Sequence, residues 1–388
     1  MSGNARTVEI AGGGVGGLAA AIALARRGWD VRLRERAPQL RDIGAGVYLW
    51  ENVIRVLEAL GVYELLEPTL HHVPKFEVRD ARLKMVQCMD FTAPGGPRCA
   101  NVLRPALHSA LETTARGLGV MIESNSNVVG ATTDGEVILE NGERYSADLI
   151  VAADGVNSAV RQSLGLLKSR KELADGAHRL LVPRTESERN DPYWDISYEY
   201  WSGPRRIIYS PCSPDWIYIA LSTRADDRTG SALPVDVESW KQSFPKMAHF
   251  LDRIDDTTQI RWDRFTLLRL HHWSKGKVAV IGDAAYAQPP NLGQGAGLAV
   301  SNALSLAVAL DESPDLTTAL KLWEERERPL VEHTQKWSTR WGLTSTLPCP
   351  RPLEPLRSGI VSALARNSWI DGNLSRTARH IATGTIAE

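Results

Sequence analysis

The chain has 388 residues, of which 43% are hydrophobic and 23% are charged. This composition is typical of a folded globular protein and excludes a largely disordered chain. At about 150 residues per domain, the length predicts two to three domains. Lysine and arginine together number 45 against 46 aspartates and glutamates, so the charge favours neither a nucleic acid nor an anionic membrane as partner. A small molecule is the favoured partner.

Cysteine content and the N-terminal sequence indicate where the protein works. Four cysteines without a CxxC pair are too few for a disulfide framework and favour a reduced, intracellular protein. The apolar run from Val8 to Leu24 contains Glu9 and five glycines, which excludes a signal peptide or a membrane span. We therefore expect a cytoplasmic protein with no membrane partner.

The chain begins with a predicted βαβ unit. The hydrophobic pattern predicts a strand over Thr7 to Ala11, a helix over Leu18 to Arg27 and a second strand over Trp29 to Arg34. Helical spacing returns over Glu51 to Leu60 and over Pro105 to Leu118. Helices and strands alternate to about residue 165, which is typical of an α/β fold.

A glycine motif lies between the first strand and the first helix. In this GxGxxG pattern, Gly12 permits a tight turn, Gly14 lets a pyrophosphate approach the backbone, and Gly17 lets helix and strand pack closely. Glu35, at the end of the second strand, lies where an acid commonly meets a ribose hydroxyl. The motif predicts an adenine dinucleotide site and leaves NAD and FAD open.

Between about residues 176 and 270 the pattern changes to short aromatic and β-branched runs, which predict an antiparallel sheet. The runs are Ile196 to Trp201, Arg206 to Ser210, Trp216 to Leu221 and Thr258 to Phe265. Six of the 12 tryptophans fall within one 80-residue stretch that covers most of this region: Trp194, Trp201, Trp216, Trp240, Trp262 and Trp273. We interpret each of them as a core residue rather than a ligand contact.

Two later segments share the pattern of a buried strand that ends in an acidic turn. The first runs from Ala147 to Gly155 with Asp154 in its turn, and the second from Lys277 to Ala285 with Asp283 in its turn. The second is followed by Pro290, Gly293, Gln294 and Gly295, and then by a predicted helix over Ala299 to Leu310. With the glycine motif, in this order and spacing, these segments resemble the FAD-dependent aromatic hydroxylases, a family of single-component flavoprotein monooxygenases. The resemblance covers almost the whole chain.

This resemblance implies a fold and a domain organisation. The expected fold is α/β, with a Rossmann-like FAD-binding domain, an inserted and mainly antiparallel β-sheet substrate domain, and a C-terminal helical extension. We assign residues 1–70, 100–175 and 271–388 to the FAD-binding domain, and residues 71–99 and 176–270 to the substrate-binding domain. No second GxGxxG occurs, so NADH or NADPH is expected to bind transiently over the flavin.

The resemblance also implies a set of cofactor contacts. By the family pattern, Asp283 meets the ribityl chain, Arg104 reaches the cofactor phosphates, and a helix N-terminus faces the flavin pyrimidine edge. The expected cofactor-binding residues are Gly12, Gly14, Val15, Gly17, Glu35, Arg36, Arg41, Arg104, Asp154, Asp283, Gly293, Gly295, Ala296 and Gly297. Ser158 and Arg161 accompany Asp154 near the pyrophosphate. Tyr286 departs from the family, which usually has a histidine at this position.

A narrower resemblance concerns the substrate. The segment from Gly44 to Trp50, followed by Asn52, and the segments around Arg206 and Tyr218 resemble the hydroxypyridine carboxylate oxygenases of this family. The resemblance implies substrate contacts from Tyr48, Phe76, Arg206, Tyr218 and Pro290. Of these, we expect Arg206 to anchor a carboxylate, Tyr218 to meet a phenol or a ring nitrogen, and the backbone at Pro290 to lie beside the flavin. Phe76 replaces a pocket tyrosine and removes a hydroxyl, which bears on the substrate accepted.

The implied reaction is that of an FAD monooxygenase. It uses NADH or NADPH and O2, through a flavin hydroperoxide, to hydroxylate, or to oxygenate and open, a small aromatic or N-heteroaromatic carboxylic acid such as a hydroxypyridine carboxylate. The expected partners are that acid and O2, and the chain is expected to be a monomer or homodimer. No metal is expected, because the pairs His71-His72 and His271-His272 are adjacent in sequence and no HxxxH motif occurs.

Two alternatives remain open from the sequence. One is an FAD-dependent reductase or dehydrogenase of the same fold, and the other is a non-enzymatic protein that carries flavin. A flavin-dependent halogenase is disfavoured, because it needs a WxWxIP segment that Asp215 to Tyr218 does not supply.

Overall fold

The computed structural model describes residues 5–40, 45–254 and 261–385. In chain order the strands are β1 (Thr7–Ala11), β2 (Asp30–Arg34), β3 (Gly46–Trp50), β4 (His71–His72), β5 (Lys75–Asp80), β6 (Met85–Asp90), β7 (Cys99–Leu103), β8 (Met121–Glu123), β9 (Val128–Ala131), β10 (Glu136–Leu139), β11 (Arg144–Ser146), β12 (Leu149–Ala152), β13 (Leu167–Pro183), β14 (Ser197–Ser202), β15 (Arg205–Pro211), β16 (Trp216–Arg224), β17 (Trp262–Leu270), β18 (Ser274–Lys275) and β19 (Val278–Val280). The helices are α1 (Val15–Ala25), α2 (Glu51–Ala59), α3 (Tyr63–Leu66), α4 (Arg104–Gly117), α5 (Ala159–Ser163), α6 (Glu186–Asn190), α7 (Val237–Ser243), α8 (Ala248–Leu251), α9 (Asp283–Tyr286), α10 (Gly295–Glu312), α11 (Leu316–Ser345), α12 (Glu354–Ala365) and α13 (Ser368–Ser375).

A six-stranded sheet in the order β18-β19-β12-β1-β2-β8 forms one structural half of the protein, which we call the first half. It includes β18 and β19 from late in the chain. Its strands are parallel except β18, which is antiparallel to β19. The central strand β1 pairs with β12 on one side and β2 on the other, so the order reverses there. In an open parallel sheet, ligands bind at the carboxyl ends of the strands beside such a reversal. This is the Rossmann-like arrangement that the sequence predicted.

A seven-stranded sheet in the order β17-β13-β16-β15-β14-β5-β6 forms the second half. It is antiparallel except for the parallel pair β14 and β5, as the short aromatic runs predicted. The long strand β13 pairs with both β16 and β17, and it begins before residue 176, where we placed the start of the substrate domain. The α/β fold with an inserted antiparallel sheet and C-terminal helices is confirmed, whereas the exact domain boundaries stay a prediction.

The two faces of the seven-stranded sheet have different partners. One face carries buried side chains such as Tyr209 and Ile219, which pack against Trp240 of α7 and Phe250 of α8. The opposite face, which we call the inner face, carries Tyr218 and its neighbours and packs against β3 and the C-terminal helices. The faces alternate because successive residues of a strand point to opposite sides.

The tryptophans mostly serve packing, as predicted. Trp201 and Trp240 are fully buried and Trp273 is nearly so, while Trp216 is 40% exposed. The sequence analysis predicted C-terminal helices but gave no bounds for α11, a helix of 30 residues that contains Pro329. Within the described ranges, no helix is long and apolar enough to cross a membrane. Among the same residues, no three histidine, cysteine or acidic side chains are grouped so as to hold a metal ion.

We predict that the role of a tryptophan follows its burial. Trp240→Ala leaves a cavity on the helix-covered face and is expected to lower the free energy of unfolding by about 3–5 kcal/mol. Trp216→Ala, at an exposed position, is expected to change it by about 0.5 kcal/mol or less. Urea unfolding of both variants measures the difference, and equal losses would contradict the assignment of Trp240 to the core.

Candidate active site

The glycine turn between β1 and α1 needs two glycines for close backbone packing. A Cβ atom at Gly12 would lie 2.5 Å from the Ala153 carbonyl oxygen, and Gly12 has a φ of +103°. A Cβ atom at Gly17 would collide with the carbonyl oxygen of Gly12. Gly14 is different, because no described atom outside Gly14 and its two chain neighbours lies within 4 Å of where its Cβ would be. The space in front of Gly14 is therefore available to a ligand.

Two side chains fix the shape of this turn. The Glu35 carboxylate accepts hydrogen bonds from the amides of Gly13 (2.8 Å) and Ala37 (2.9 Å). His108, a buried residue of α4, lies 2.7 Å through its Nε2 from the Gly13 carbonyl oxygen. A carboxylate has about four lone-pair sites, so Glu35 keeps capacity for a ribose hydroxyl. The sequence analysis missed His108, which belongs to no motif.

Two helices begin beside this turn without a side-chain cap. Gly14 precedes α1 and Gln294 precedes α10, and within the described residues neither helix has a side-chain hydrogen bond at its N-cap or an acid in its first turn. The helices are neighbours, because a Cβ atom at Gly16 would lie 3.3 Å from the Ala299 Cβ. Unpaired N–H groups and the positive end of the helix dipole favour an anion at these ends.

The acidic turn at Asp154 is tied to the turn at Asp283. One Asp154 carboxylate oxygen accepts from the Val160 amide (3.2 Å), while the other is buried without a hydrogen-bond partner among the described residues. Arg161 donates to the carbonyl oxygens of Ala284 (2.9 Å) and Val156 (3.0 Å). Its burial lowers the pKa of the guanidinium. We read Arg161 as a structural link between the two turns.

Asp283 lies where both halves of the protein meet. Its side chain reaches solvent, yet the surrounding protein desolvates it and raises its pKa, and Arg104 and Arg179 partly offset that rise. Burial also raises the pKa of Tyr218, and the same two arginines oppose the effect. The Asp283 carboxyl of the first half and the Tyr218 phenol of the second half are thus both within electrostatic reach of Arg104 and Arg179. Arg179, an isolated residue of β13, was missed because no motif marks it.

An aromatic group lies next to Tyr218. Tyr48 forms a hydrogen bond with Ser210, and its ring lies 5.8 Å edge-on from Phe76 and 6.0 Å stacked on Trp50. A Cβ atom at Gly46 would lie 2.7 Å from the Tyr218 Cβ, so β3 lies directly against the inner face. The structure therefore brings the predicted substrate contacts Tyr48, Phe76 and Tyr218 into one region.

Arg206 is also on the inner face, but it is surrounded by protein. It is 1% exposed and lies 3.2 Å from Glu199 through Nη1. The same nitrogen donates to Ser345 (3.0 Å), and Nη2 donates to the Asn291 side chain (2.5 Å). The carboxylate-anchoring role of Arg206 stays a prediction, and its present partners are all protein groups.

The segment at Pro290 is supported by α11. Pro290 is exposed, while the preceding Pro289 carbonyl accepts from Ser338 of α11 (2.5 Å). Gln335 of the same helix donates to the carbonyl oxygens of Leu268 (2.8 Å) and Tyr286 (3.2 Å). The segment continues through Gly293 and Ala296 into α10, so α11 fixes the approach to that helix.

The other predicted residues have varied surroundings. Tyr286, in place of the family histidine, is buried against Trp273 (4.8 Å between ring centroids), and its hydroxyl has no hydrogen-bond partner in the described part of the chain. Val15 is buried in the first turn of α1, whereas Arg36 is exposed. Gly295 and Gly297 lie in the first turn of α10, and Gly297 packs on Val53. Arg41 lies outside the described residues.

We predict that Gly14 and Gly17 respond differently to alanine. Gly14 has an ordinary φ of −74° and open space in front of it, so Gly14→Ala is expected to leave the unfolding temperature of the cofactor-free protein unchanged. The added methyl group blocks the anion site and is expected to weaken FAD binding at least about tenfold, or 1.4 kcal/mol. Gly17→Ala is expected to destabilise the protein itself.

Titration with FAD and thermal unfolding measure both effects. Gly117→Ala, another glycine with open space around it but at the end of α4, is the matched control and should bind FAD like the parent chain. Unchanged FAD affinity of Gly14→Ala would contradict the assignment of this space to the cofactor.

Comparison with known proteins identifies the cofactor. Residues 5–317 match the FAD binding domain family. The residues described above fit FAD, because the open turn at Gly14 and the uncapped starts of α1 and α10 suit a pyrophosphate, and a buried Asp154 oxygen has no hydrogen-bond partner in the part of the chain that the structure describes. FAD is therefore the cofactor of this chain.

Relatives cover nearly the whole chain. The putative 2-heptyl-3-hydroxy-4(1H)-quinolone synthase AqdB1 of Rhodococcus erythropolis is 40% identical over 99% of both chains. The 6-hydroxynicotinate 3-monooxygenase of Bordetella bronchiseptica is 26% identical over 87% of this chain and 91% of its own. A solved structure titled as the tetrameric form of 2-methyl-3-hydroxypyridine-5-carboxylic acid oxygenase has a TM-score of 0.86 and 38% identity, over 98% of this chain and 97% of its own.

These relatives are oxidoreductases that act on aromatic rings. The solved oxygenase is a hydroxypyridine carboxylate oxygenase, the type of protein that the segments around Tyr48, Arg206 and Tyr218 resemble. The match to the FAD binding domain covers both acidic turns and the glycine motif. The chain belongs to the FAD-dependent aromatic hydroxylases.

Proposed function

We propose that the protein uses NADH or NADPH and O2 to hydroxylate an N-heteroaromatic ring, with a small hydroxypyridine carboxylate as the first candidate substrate. One observation supports this proposal most directly. A Cβ atom at Gly293, an expected flavin contact, would lie 3.4 Å from the Tyr48 Cβ, and Tyr48 shares β3 with Gly46, which packs on Tyr218. A ring bound at Tyr218 would therefore lie close to the cofactor.

Each part of the chain has its own task in this reaction. When bound, FAD supplies electron transfer from the nicotinamide and the activation of oxygen. The N–H groups at the starts of α1 and α10 stabilise negative charge on the cofactor. Burial raises the pKa of Tyr218, so its hydroxyl stays protonated at neutral pH and donates to a ring substituent.

Electrostatics at the inner face supports an anionic ring. Arg179 brings a positive charge close to the Tyr218 hydroxyl. Arg179 is half-buried there, whereas Arg206 is already paired with Glu199. We therefore propose Arg179 as the counter-charge of a substrate carboxylate and keep Arg206 as the alternative anchor from the sequence prediction.

A 4-quinolone is the second candidate substrate. The quinolone synthase of Rhodococcus erythropolis covers 99% of the chain, and a 2-heptyl-3-hydroxy-4(1H)-quinolone synthase of Mycobacteroides abscessus is 39% identical over 92% of it. A quinolone carries no carboxylate, so the pairing of Arg206 with Glu199 is compatible with it. The exocyclic carbonyl oxygen of the quinolone would accept a hydrogen bond from Arg179 or Tyr218.

The purified holoprotein distinguishes these candidates. We expect NADH or NADPH oxidation to rise at least about tenfold with the true substrate, and labelled oxygen from O2 to enter the product. Mass spectrometry then separates hydroxylation from oxygenation with ring opening. Stimulated oxidation of the nicotinamide with no labelled product would favour the reductase alternative, and flavin that no nicotinamide reduces would favour a flavin-carrying protein.

We predict that Arg179→Met raises KM for a carboxylate-bearing substrate by about 10- to 100-fold, because a hydrogen bond to a charged group contributes about 1.5–3 kcal/mol. The same variant should change KM for a 4-quinolone by less. Tyr209→Phe is the control, since Tyr209 lies on β15, next to the strand of Tyr218, and its hydroxyl donates to the Trp194 carbonyl on the helix-covered face. Steady-state kinetics with both substrates measures the difference, and an unchanged KM with the carboxylate would remove Arg179 from the site.

A further inference from the structure

The inner face of the substrate sheet is joined to the segment before α10 by a buried polar cluster, which we call the Arg206 cluster (Glu199, Arg206, Asn291, Ser338 and Ser345). Arg206 Nη1 lies 3.2 Å from the Glu199 carboxylate and 3.0 Å from the Ser345 hydroxyl. Arg206 Nη2 donates to Asn291 Oδ1 at 2.5 Å. The cluster connects β14 and β15, the turn after Pro290, and α11.

Asn291 is the link between the two halves. Its side-chain oxygen Oδ1 accepts the hydrogen bond from Arg206. Its side-chain nitrogen Nδ2 donates to the backbone carbonyl oxygen of Ser338 in α11 (3.0 Å). Ser338 in turn donates through its hydroxyl to the carbonyl of Pro289 (2.5 Å). Residues 289 and 291 are thus both fixed, on either side of Pro290.

This fixed turn leads directly into the flavin-facing helix. Gly293 follows in a left-handed conformation, and α10 begins at Gly295 with its uncapped N–H groups. Arg206 and Tyr218 lie on the same face of the sheet, because Arg206 is opposite Ser222 and Tyr218 is opposite Ser210 in one antiparallel pair. A contact from Arg206 to the turn therefore sets the distance between the Tyr218 face and the start of α10.

The charged groups that face Arg206 are buried protein groups, and Arg206 Nε has no hydrogen-bond partner among the described residues. Glu199 also accepts from the Trp201 indole (2.7 Å), and the Asp175 side chain faces the same cluster near Gly342. Arg206 is 1% exposed and Glu199 is 2% exposed. A guanidinium that is enclosed in this way holds protein groups in place and has no exposed surface for a ligand.

We infer that Arg206 and Asn291 are positioning residues that hold the Pro289–Gly293 turn and the start of α10 at the correct distance from the substrate face. The inference rests on the proposed function for its catalytic consequence, but not for its effect on the flavin. It assigns Arg206 a role that does not depend on whether the substrate has a carboxylate.

Asn291→Ala in the holoenzyme is the direct test. It breaks the link to the turn and leaves the Arg206–Glu199 pair intact, whereas removing Arg206 would leave the Glu199 charge buried without a partner. We expect a shifted visible spectrum of bound FAD without substrate, a several-fold lower yield of product per NAD(P)H, and kcat lower by about 10- to 100-fold. The loss should be equal for hydroxypyridine carboxylate and 4-quinolone substrates.

Ser338→Ala, which breaks the bond to Pro289, should change the same properties in the same direction. Thr339→Ala is the matched control, because among the described residues that hydroxyl bonds only the carbonyl of Gln335 within α11 (2.7 Å), and it should behave like the parent chain. Arg206→Lys keeps the charge beside Glu199 but lacks the forked geometry that reaches Asn291, so it should resemble Asn291→Ala.

Two results would overturn the inference. One is a flavin spectrum, product yield and kcat of Asn291→Ala equal to those of the parent chain. The other is a loss in Arg206→Lys confined to carboxylate-bearing substrates, which would return Arg206 to the anchoring role. Failure of the proposed function is seen separately, as a parent chain that no aromatic substrate stimulates while the flavin spectrum of Asn291→Ala still shifts.

Discussion

Unpaired backbone N–H groups at the starts of α1 and α10 are the interaction on which the FAD-binding half depends. The two helices pack side by side, so their positive ends act on one region of space. Gly12 and Gly17 allow that packing by bringing backbone against backbone, and Glu35 and His108 hold the turn between them. An anionic cofactor completes what the helices leave unsatisfied.

The second half of the protein contributes the inner face of the seven-stranded sheet, which is largely apolar and aromatic. Apolar and aromatic side chains dominate around Tyr218 and Tyr48, and the nearby cations are Arg104 and Arg179. The cofactor needs fixed hydrogen-bond donors, whereas a ring needs apolar contact and a few polar groups. The two sheets keep these two requirements in separate parts of the structure.

The joint between the halves is polar and buried. A buried ion pair such as Arg206 and Glu199 adds little net stability, because desolvation offsets most of the attraction, but its geometry is specific. Here the specific geometry extends to Asn291 and to α11, so the turn at Pro290 has one position relative to the substrate sheet. This geometry is the basis of the positioning role that we propose for Arg206 and Asn291.

The sequence by itself determined the βαβ unit, the glycine turn and both acidic turns, because each depends on residues close together in the chain. The choice of FAD over NAD came from the resemblance to a family. The sequence also predicted the antiparallel sheet from alternation in β14 to β16. Only the tertiary structure decided that Arg206 is enclosed and that α11 supports the turn at Pro290. It also decided that Arg179 lies near Asp283 and that His108 contacts the glycine turn. Those contacts join residues many positions apart, such as Arg206 with Asn291 and Gly13 with His108, and local patterns carry no information about such pairs.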